Sequence, residues 1–139
     1  MNQVKPKNSS AGISKATILV VEDDKFLREL MLQKLQKEGF ETQAAVNAEE
    51  AFKLINEKKP HLILLDLVLP GMDGFAMKAL LKKRPQTADI PIIILSNLGQ
   101  KEDIERAMAD GAADYLVKAS FTPGEIVDKV RAVLSKMYG

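Results

Sequence analysis

Cysteine and tryptophan are absent from the 139-residue sequence, and histidine occurs once, as His61. Without cysteine the chain forms no disulfide, no cysteine-ligated zinc site and no iron–sulfur cluster, and it suits a reducing compartment. A single histidine does not provide the ligand set of a histidine-type metal site. We expect His61 to lie in an exposed turn beside Pro60, without a catalytic role.

Long hydrophobic runs and a strong charge of either sign are also missing. No apolar segment approaches the roughly 20 residues that a membrane-spanning helix needs, and the polar N-terminus lacks the apolar core of a signal peptide. The formal net charge of +1 is too small to build the positive field that nucleic acid or an anionic membrane requires. We therefore predict a cytoplasmic protein that binds neither nucleic acid nor membranes.

The chain is long enough for one domain and too short for two of ordinary size. Residues 1–15 are polar and show no hydrophobic periodicity, so we interpret them as a flexible tail and predict a folded domain over residues 16–139. From Thr17 onward, short runs of branched apolar residues alternate with segments of helical spacing. The predicted strands are 17–21, 40–46, 62–65, 91–95 and 113–117.

Strands that alternate with helices predict an α/β fold, in which a parallel sheet carries helices on both faces because crossovers are right-handed. We expect five strands in the order 2-1-3-4-5. The second predicted strand, 40–46, mixes polar with apolar residues, which is typical of an edge strand. Capping boxes are predicted at two helix starts, Asn47 with Glu50 and Thr122 with Glu125.

Polar residues stand at the carboxyl ends of four predicted strands, where ligands bind in sheets of this kind. In the expected order, strands 1 and 3 are neighbours roughly 4.8 Å apart, so acids at their ends should face each other across a short gap. A strand-end serine is by itself an ordinary turn residue. The strand-end residues are, in chain order, Glu22-Asp23-Asp24, Asp66, Ser96-Asn97 and Lys118.

Carboxylates held close together repel one another, and burial raises their pKa, unless a cation lies among them. A small number of oxygen ligands suits Mg²⁺ better than an enclosed Ca²⁺ site, and Mn²⁺ is an alternative. Asp23 or Asp24 taken alone would simply cap the first helix. Asp66, however, follows four apolar residues at a strand end and has no such structural role. A carboxylate nucleophile beside a metal and a fixed cation, Lys118, makes a phosphoryl-accepting site.

Four segments resemble the receiver domain of two-component response regulators: VVEDD (20–24), LLDLVLPGMDG (64–74), ILSN (94–97) and DYLVK (114–118). The resemblance begins near residue 16 and implies a flavodoxin-like, doubly wound fold, as in stand-alone receivers of the chemotaxis-regulator type. The resemblance implies that Asp66 accepts the phosphoryl group and that Ser96 and Lys118 contact it. The implied metal ligands are Asp23, Asp66, the Val68 carbonyl and, mainly through water, Glu22. Ser96 and Tyr115 are the implied switch residues.

Tyr115 has an alternative interpretation, as an amphipathic ring on an edge strand. Three features depart from the family pattern. Ala119 replaces the proline that usually follows the lysine through a cis bond. We expect the cis bond to be kept, although without proline it costs about 2.5–4 kcal/mol. The alternative is a rearranged loop. Asn97 replaces a small residue. Val68 and Leu98 are apolar at positions that influence dephosphorylation in the family, which predicts a long-lived phosphorylated form.

The resemblance implies a single-domain response regulator, a signalling switch that catalyses only its own phosphorylation and dephosphorylation. A histidine kinase, a histidine phosphotransfer protein or acetyl phosphate would phosphorylate Asp66. The face formed by the fourth helix, fifth strand and fifth helix would then bind an unidentified output protein or form a phosphorylation-dependent dimer. Because no sequence remains for an effector domain, we expect output through protein contact.

Other functions fit the same pattern of elements. Within the family, the chain could be a phosphorelay intermediate that passes the phosphoryl group on, or an interaction module that acts without phosphorylation. A flavodoxin-like nucleotide binder would need a Gly/Ser/Thr loop after the first strand, where Glu22-Asp23-Asp24 repels phosphate. A phosphatase of the haloacid dehalogenase type would need a second acid at the position of Val68.

Overall fold

The computed structural model describes residues 15–139. The predicted flexible tail lies almost wholly in residues 1–14, outside the described range, so the tail and the domain boundary stay predictions. Within that range, no helix combines the length and the apolar composition that crossing a bilayer requires.

The strands are β1 Thr17–Val21, β2 Glu41–Ala45, β3 Leu62–Leu65, β4 Ile92–Ser96 and β5 Asp114–Val117. The helices are α1 Lys25–Lys37, α2 Ala48–Glu57, α3 Gly74–Lys83, α4 Lys101–Ala109 and α5 Pro123–Tyr138.

One parallel sheet in the order β2-β1-β3-β4-β5 confirms the predicted topology. Val21, the last residue of β1, pairs with Ala45 of β2 and with Leu65 of β3. The pairing continues one residue further, because the Glu22 N–H donates to the Ala45 carbonyl at 3.0 Å and the Asp66 N–H donates to the Val21 carbonyl at 3.1 Å. Glu22 and Asp66 therefore leave the sheet from neighbouring strands at the same edge.

Two hydrophobic cores lie on opposite faces of the sheet, because successive side chains of a strand point to opposite sides. In β1, Ile18 and Val20 pack with α1 and α5, whereas Leu19 and Val21 pack with α2, α3 and α4. Each fully buried side chain of this size contributes about 1.5–3 kcal/mol. The central strands are buried on both faces and β2 is a partly exposed edge, as the sequence indicated.

The helix starts show how far the capping predictions hold. The Thr122 hydroxyl accepts from the Glu125 N–H at 3.1 Å, and the Glu125 carboxylate accepts from the Thr122 N–H at 2.8 Å, so this capping box is confirmed. Asn47 caps α2 by accepting from the Glu50 N–H at 2.8 Å. The carboxylate of Glu50 accepts instead from the Val46 N–H, at 3.0 Å, so the reciprocal bond reaches the residue before the cap rather than the cap residue itself.

His61 is exposed in a bend before β3, as expected. Its N–H donates to the Thr17 carbonyl at 2.8 Å, and its ring Nδ1 accepts from the Thr17 N–H at 3.0 Å. The Tyr138 hydroxyl donates to the His61 carbonyl at 2.9 Å. His61 thus links the first residues of β1 and β3, at the end of the sheet opposite to Glu22 and Asp66.

Candidate functional site

The loop between β1 and α1 presents three consecutive acids in three different environments. Glu22 is buried and Asp23 is exposed. Asp24 is the N-cap of α1, since its carboxylate accepts from the Leu27 N–H at 3.2 Å. The Asp24 N–H donates to the Glu22 carboxylate at 3.0 Å. Asp23 and Asp24 were the two candidate caps of this helix, and Asp24 is the one that caps it. The carboxylates of Glu22 and Asp23 therefore do not serve as helix caps.

Asp66 lies directly after β3 with only 5% of its surface exposed. Its Oδ1 accepts from the Val68 N–H at 3.0 Å, and its Oδ2 accepts from the Lys118 ammonium at 2.8 Å. The side chain of Val68 is 58% exposed. The aspartate is therefore nearly buried and held at both carboxylate oxygens.

Lys118 joins two buried acids from the end of β5. Its ammonium lies 2.7 Å from a Glu22 carboxylate oxygen and 2.8 Å from an Asp66 carboxylate oxygen. Burial by itself lowers the pKa of Lys118, but the hydrogen bonds to Asp66 and Glu22 outweigh burial, and the pKa is raised. The lysine is a fixed positive charge at this edge of the sheet.

The expected cis bond between Lys118 and Ala119 is wrong. No peptide bond in the described part of the chain is cis, and Lys118–Ser120 form a single 3₁₀ turn. The alternative, a rearranged loop, is what the structure shows. A trans bond avoids the cost of about 2.5–4 kcal/mol that a non-proline cis bond carries, and the turn still directs Lys118 to both acids.

Glu22, Asp23 and Asp66 form the one acidic cluster of metal-site geometry among residues 15–139, with one carboxylate oxygen from each within 4.8 Å of the others. Burial raises the pKa of Glu22, helped by the charge of Asp66 and opposed by Lys118. The raised pKa thus reflects mainly the loss of water around a buried carboxylate, with a smaller effect from the nearby charge of Asp66. The donors are carboxylate oxygens, and the exposure of Asp23 leaves room for water, so the cluster suits a hard cation such as Mg²⁺.

Ser96 and Tyr115 lie on the neighbouring strands beyond Asp66. Ser96 ends β4, is fully buried and accepts from the Leu98 N–H at 3.2 Å. Tyr115, on the edge strand β5, is 9% exposed, and its hydroxyl donates to the Leu98 carbonyl. Burial raises the pKa of the Tyr115 hydroxyl. Both side chains therefore contact the backbone of the same loop, at Leu98, next to the exposed Asn97.

Two residues that shape the site were not singled out from the sequence. A Cβ on Gly74 would lie 2.5 Å from the Asp66 carbonyl oxygen and 2.6 Å from the Leu67 Cα, so only glycine fits there. Arg28 donates to the Glu22 carbonyl at 2.9 Å and to the Asp23 carbonyl at 3.3 Å. For Gly74 the signal was present, as a glycine directly after the cap of α3; for Arg28 the sequence holds none.

The match to known proteins covers most of the described chain. The sequence model of the response regulator receiver domain matches residues 18–131. The phosphate regulon transcriptional regulatory protein PhoB of Klebsiella pneumoniae is 40% identical over 120 residues, which cover 86% of this chain and 52% of PhoB. The chain thus spans about half the length of the curated relatives it matches.

Two solved structures share the fold over nearly their full length. The receiver domain of the Francisella response regulator 1452 has a TM-score of 0.80 and 30% identity, covering 88% of this chain and 98% of that chain. Chemotaxis protein CheY4 of Vibrio cholerae has a TM-score of 0.80 and 28% identity, covering 86% of this chain and 99% of that chain. Together with the match over residues 18–131, these similarities show that the chain belongs to the response regulator receiver domain family.

Proposed function

We propose that this chain is a phosphorylation switch in which Asp66 accepts a phosphoryl group from a phosphohistidine, in a reaction that needs a divalent cation. The observation that carries the proposal is the contact of Lys118 with both Asp66 and Glu22, at 2.8 and 2.7 Å, within a cluster that also includes Asp23. Receiver domains bind Mg²⁺ at an acidic pocket and interact with histidine kinases. Family membership thus supports both the cation and the donor.

Asp66 would act as the nucleophile. Its Oδ1 and Oδ2 are each oriented by one donor, Val68 N–H and the Lys118 ammonium. One carboxylate oxygen forms a bond to phosphorus while the P–N bond of the phosphohistidine breaks, and the imidazole leaves after taking up a proton. The ammonium of Lys118 then neutralises part of the charge on the transferred oxygens.

Glu22, Asp23 and Asp66 would hold Mg²⁺, or alternatively Mn²⁺, together with the backbone carbonyl of Val68. The bound cation supplies neutralisation of the phosphoryl oxygens, which phosphoryl transfer requires. The three carboxylates of the cluster outnumber the one ammonium, Lys118, that contacts Glu22 and Asp66, so a cation would reduce the repulsion among them.

Ser96 would contact the phosphoryl group and, with Tyr115, transmit its arrival. Both side chains bind the backbone at Leu98, so a shift of Ser96 would move the segment that precedes α4. The face of α4, β5 and α5 would then change its packing and bind an output protein or a second copy of the chain. We propose a histidine kinase or a histidine phosphotransfer protein as the donor, and family membership also supports the predicted cytoplasmic location.

Intact-mass measurement after incubation with acetyl phosphate and Mg²⁺ tests the central step. We expect the wild type to gain one phosphoryl group and Asp66→Asn to gain none, because an amide is not a nucleophile of this kind. Asp128→Asn, which changes an exposed aspartate of α5, is the control and should be phosphorylated like the wild type. The proposal fails if Asp66→Asn is labelled to the same extent, or if labelling of the wild type does not depend on Mg²⁺.

A further inference from the structure

The loop that carries Glu22 and Asp23 is held by a side chain from the helix that follows it. Arg28 of α1 donates from Nη1 to the carbonyl of Glu22 at 2.9 Å and to the carbonyl of Asp23 at 3.3 Å. A planar guanidinium that bridges two successive carbonyls restricts the direction of both peptide groups. The backbone from which both carboxylates project is therefore oriented by Arg28.

The other polar groups of this loop are fastened by different partners. The Glu22 N–H donates to the Ala45 carbonyl at 3.0 Å, and the Asp24 N–H donates to the Glu22 carboxylate at 3.0 Å. Asp24 itself caps α1. In the hydrogen-bond network of residues 15–139, Arg28 is the side chain that binds the carbonyls of Glu22 and Asp23. Loss of Arg28 would release these carbonyls while leaving the helix cap in place.

Such a restraint matters because the site gathers like charges. Carboxylate oxygens of Glu22, Asp23 and Asp66 lie within 4.8 Å of one another, and at this separation they repel. Asp23 is exposed and its side chain has room to turn away into water. A fixed loop backbone limits how far the Asp23 carboxylate can move away from the other two. The loop therefore loses less conformational freedom when a cation binds.

We propose that Arg28 is a positioning residue, which holds the acidic loop in the geometry that binds a divalent cation. The inference rests on the proposed function, which assigns the cation to this cluster. The charge of Arg28 and its two hydrogen bonds have opposite expected effects on the affinity for Mg²⁺. A positive guanidinium repels a cation, so removal of its charge alone would tighten Mg²⁺ binding, whereas loss of the two hydrogen bonds weakens it.

The test compares Arg28→Lys, Arg28→Met and a control, Lys25→Met, which removes an exposed positive charge from the first turn of the same helix. Mg²⁺ binding is measured by titrating MgCl₂ and following the amide resonance of Val68, whose N–H contacts Asp66. Residues that orient metal ligands typically contribute a factor of 10–100 in affinity, so we expect both Arg28 variants to bind Mg²⁺ about tenfold more weakly. Lys25→Met should bind at least as tightly as the wild type.

Phosphorylation by acetyl phosphate provides a second readout. The Mg²⁺ concentration for half-maximal rate should rise by the same factor in the Arg28 variants, while the rate at saturating Mg²⁺ stays near the wild-type value. Arg28→Lys keeps the charge and decides the outcome if Arg28→Met does not fold.

Three results would overturn the inference. Mg²⁺ binding that is unchanged or tighter in the folded Arg28 variants would show that the two hydrogen bonds do not support the cation site. Equal weakening in Lys25→Met would assign the effect to a general loss of stability in the first turns of α1. A wild type that does not respond to Mg²⁺ would overturn the proposed function as well, whereas normal wild-type binding with unaffected variants overturns the role of Arg28 alone.

Discussion

Val68 and Leu98 are apolar residues on the two loops that border Asp66. The Val68 N–H contacts the Asp66 carboxylate, and the Leu98 N–H contacts Ser96. Their side chains are 58% and 37% exposed. Hydrolysis of an aspartyl phosphate needs a water molecule held in line with the bond that breaks. Neither side chain has a hydrogen-bonding group with which to hold that water, so we infer slow loss of phosphate.

Val68→Asn should therefore shorten the lifetime of the phosphorylated form. General bases typically contribute 10²–10⁴-fold to a rate, and a neutral amide that only orients water falls below that range, so we expect about tenfold faster loss. The measurement is the decay of intact phosphorylated mass after removal of acetyl phosphate. Met72→Asn, at a 39% exposed apolar position of the same loop, is the control. Equal decay of Val68→Asn and wild type would contradict the hypothesis.

The sequence allowed the acidic side chains of the site to be predicted but not the residue that orients their loop. Glu22, Asp66 and Lys118 follow apolar strands, and parallel strands bring their carboxyl ends to one edge, so position in the sequence implied position in space. Arg28 acts on backbone carbonyls from a helix surface. That contact depends on the side-chain conformation and on the path of the loop, neither of which leaves a pattern in the sequence.

At the scale of elements, the connection between β3 and α3 depends on a glycine that leaves no space for a side chain. The Gly74 N–H donates to the Leu67 carbonyl at 2.8 Å, which draws the first turn of α3 against the backbone of Asp66. The Asp73 carboxylate caps the same helix by accepting from the Ala76 N–H at 2.8 Å. The position of Asp66 thus depends on the close approach of one helix start.

Gly74→Ala should destabilise the fold and displace Asp66. Its Cβ would lie 2.5 Å from the Asp66 carbonyl oxygen, a backbone atom that cannot simply rotate away. Overpacking of this kind costs about 1–3 kcal/mol, which urea unfolding at equilibrium would measure. Gly124→Ala is a matched control in the first turn of α5, where the nearest heavy atom lies at 3.8 Å. Equal stability of the two variants would show that the β3–α3 connection relaxes at little cost.

The strand predictions were accurate in the centre and less so at the ends. The predicted strand 91–95 is observed as Ile92–Ser96. Pro91 has no N–H to contribute to a ladder, and it takes part only through its carbonyl, which accepts from the Ile63 N–H at 3.0 Å. The 3₁₀ turn Lys118–Ser120 could not be predicted from hydrophobic periodicity, because such a turn depends on the tertiary contacts of Lys118.

At the scale of the whole molecule, a buried lysine joins two helices of the same layer. Lys78 of α3 is 2% exposed, and its ammonium donates to the Asp110 carbonyl, just past the end of α4, at 2.6 Å. Met77 and Leu81 of the same helix are also buried, and a charged residue among buried apolar ones is unusual unless it has a hydrogen-bond partner. The carbonyls at a helix C-terminus are partly negative, which makes them a suitable partner for a cation.

Lys78 should make stability depend on pH in the alkaline range. Burial lowers the pKa of Lys78 in the folded chain, with Asp110 opposing and Lys82 reinforcing the shift, whereas the unfolded chain has the ordinary lysine pKa near 10.4. Between these two pKa values the unfolded chain binds more protons than the folded chain. The contribution of Lys78 to the free energy of unfolding therefore increases as the pH rises through this window.

Lys78→Met replaces the ammonium with an apolar side chain of similar length and should abolish that contribution. The measurement is urea unfolding at several values between about pH 8 and pH 10, just below the ordinary lysine pKa, with the stability of wild type minus variant plotted against pH. This difference should increase with pH, because the other titrating groups, Tyr115, Tyr138 and Lys118 among them, are common to both proteins. Lys83→Met, which removes an exposed lysine of the same helix, controls for the change in net charge. Parallel stability curves for wild type and Lys78→Met would mean that the ammonium is as well accommodated beside the end of α4 as it is in water.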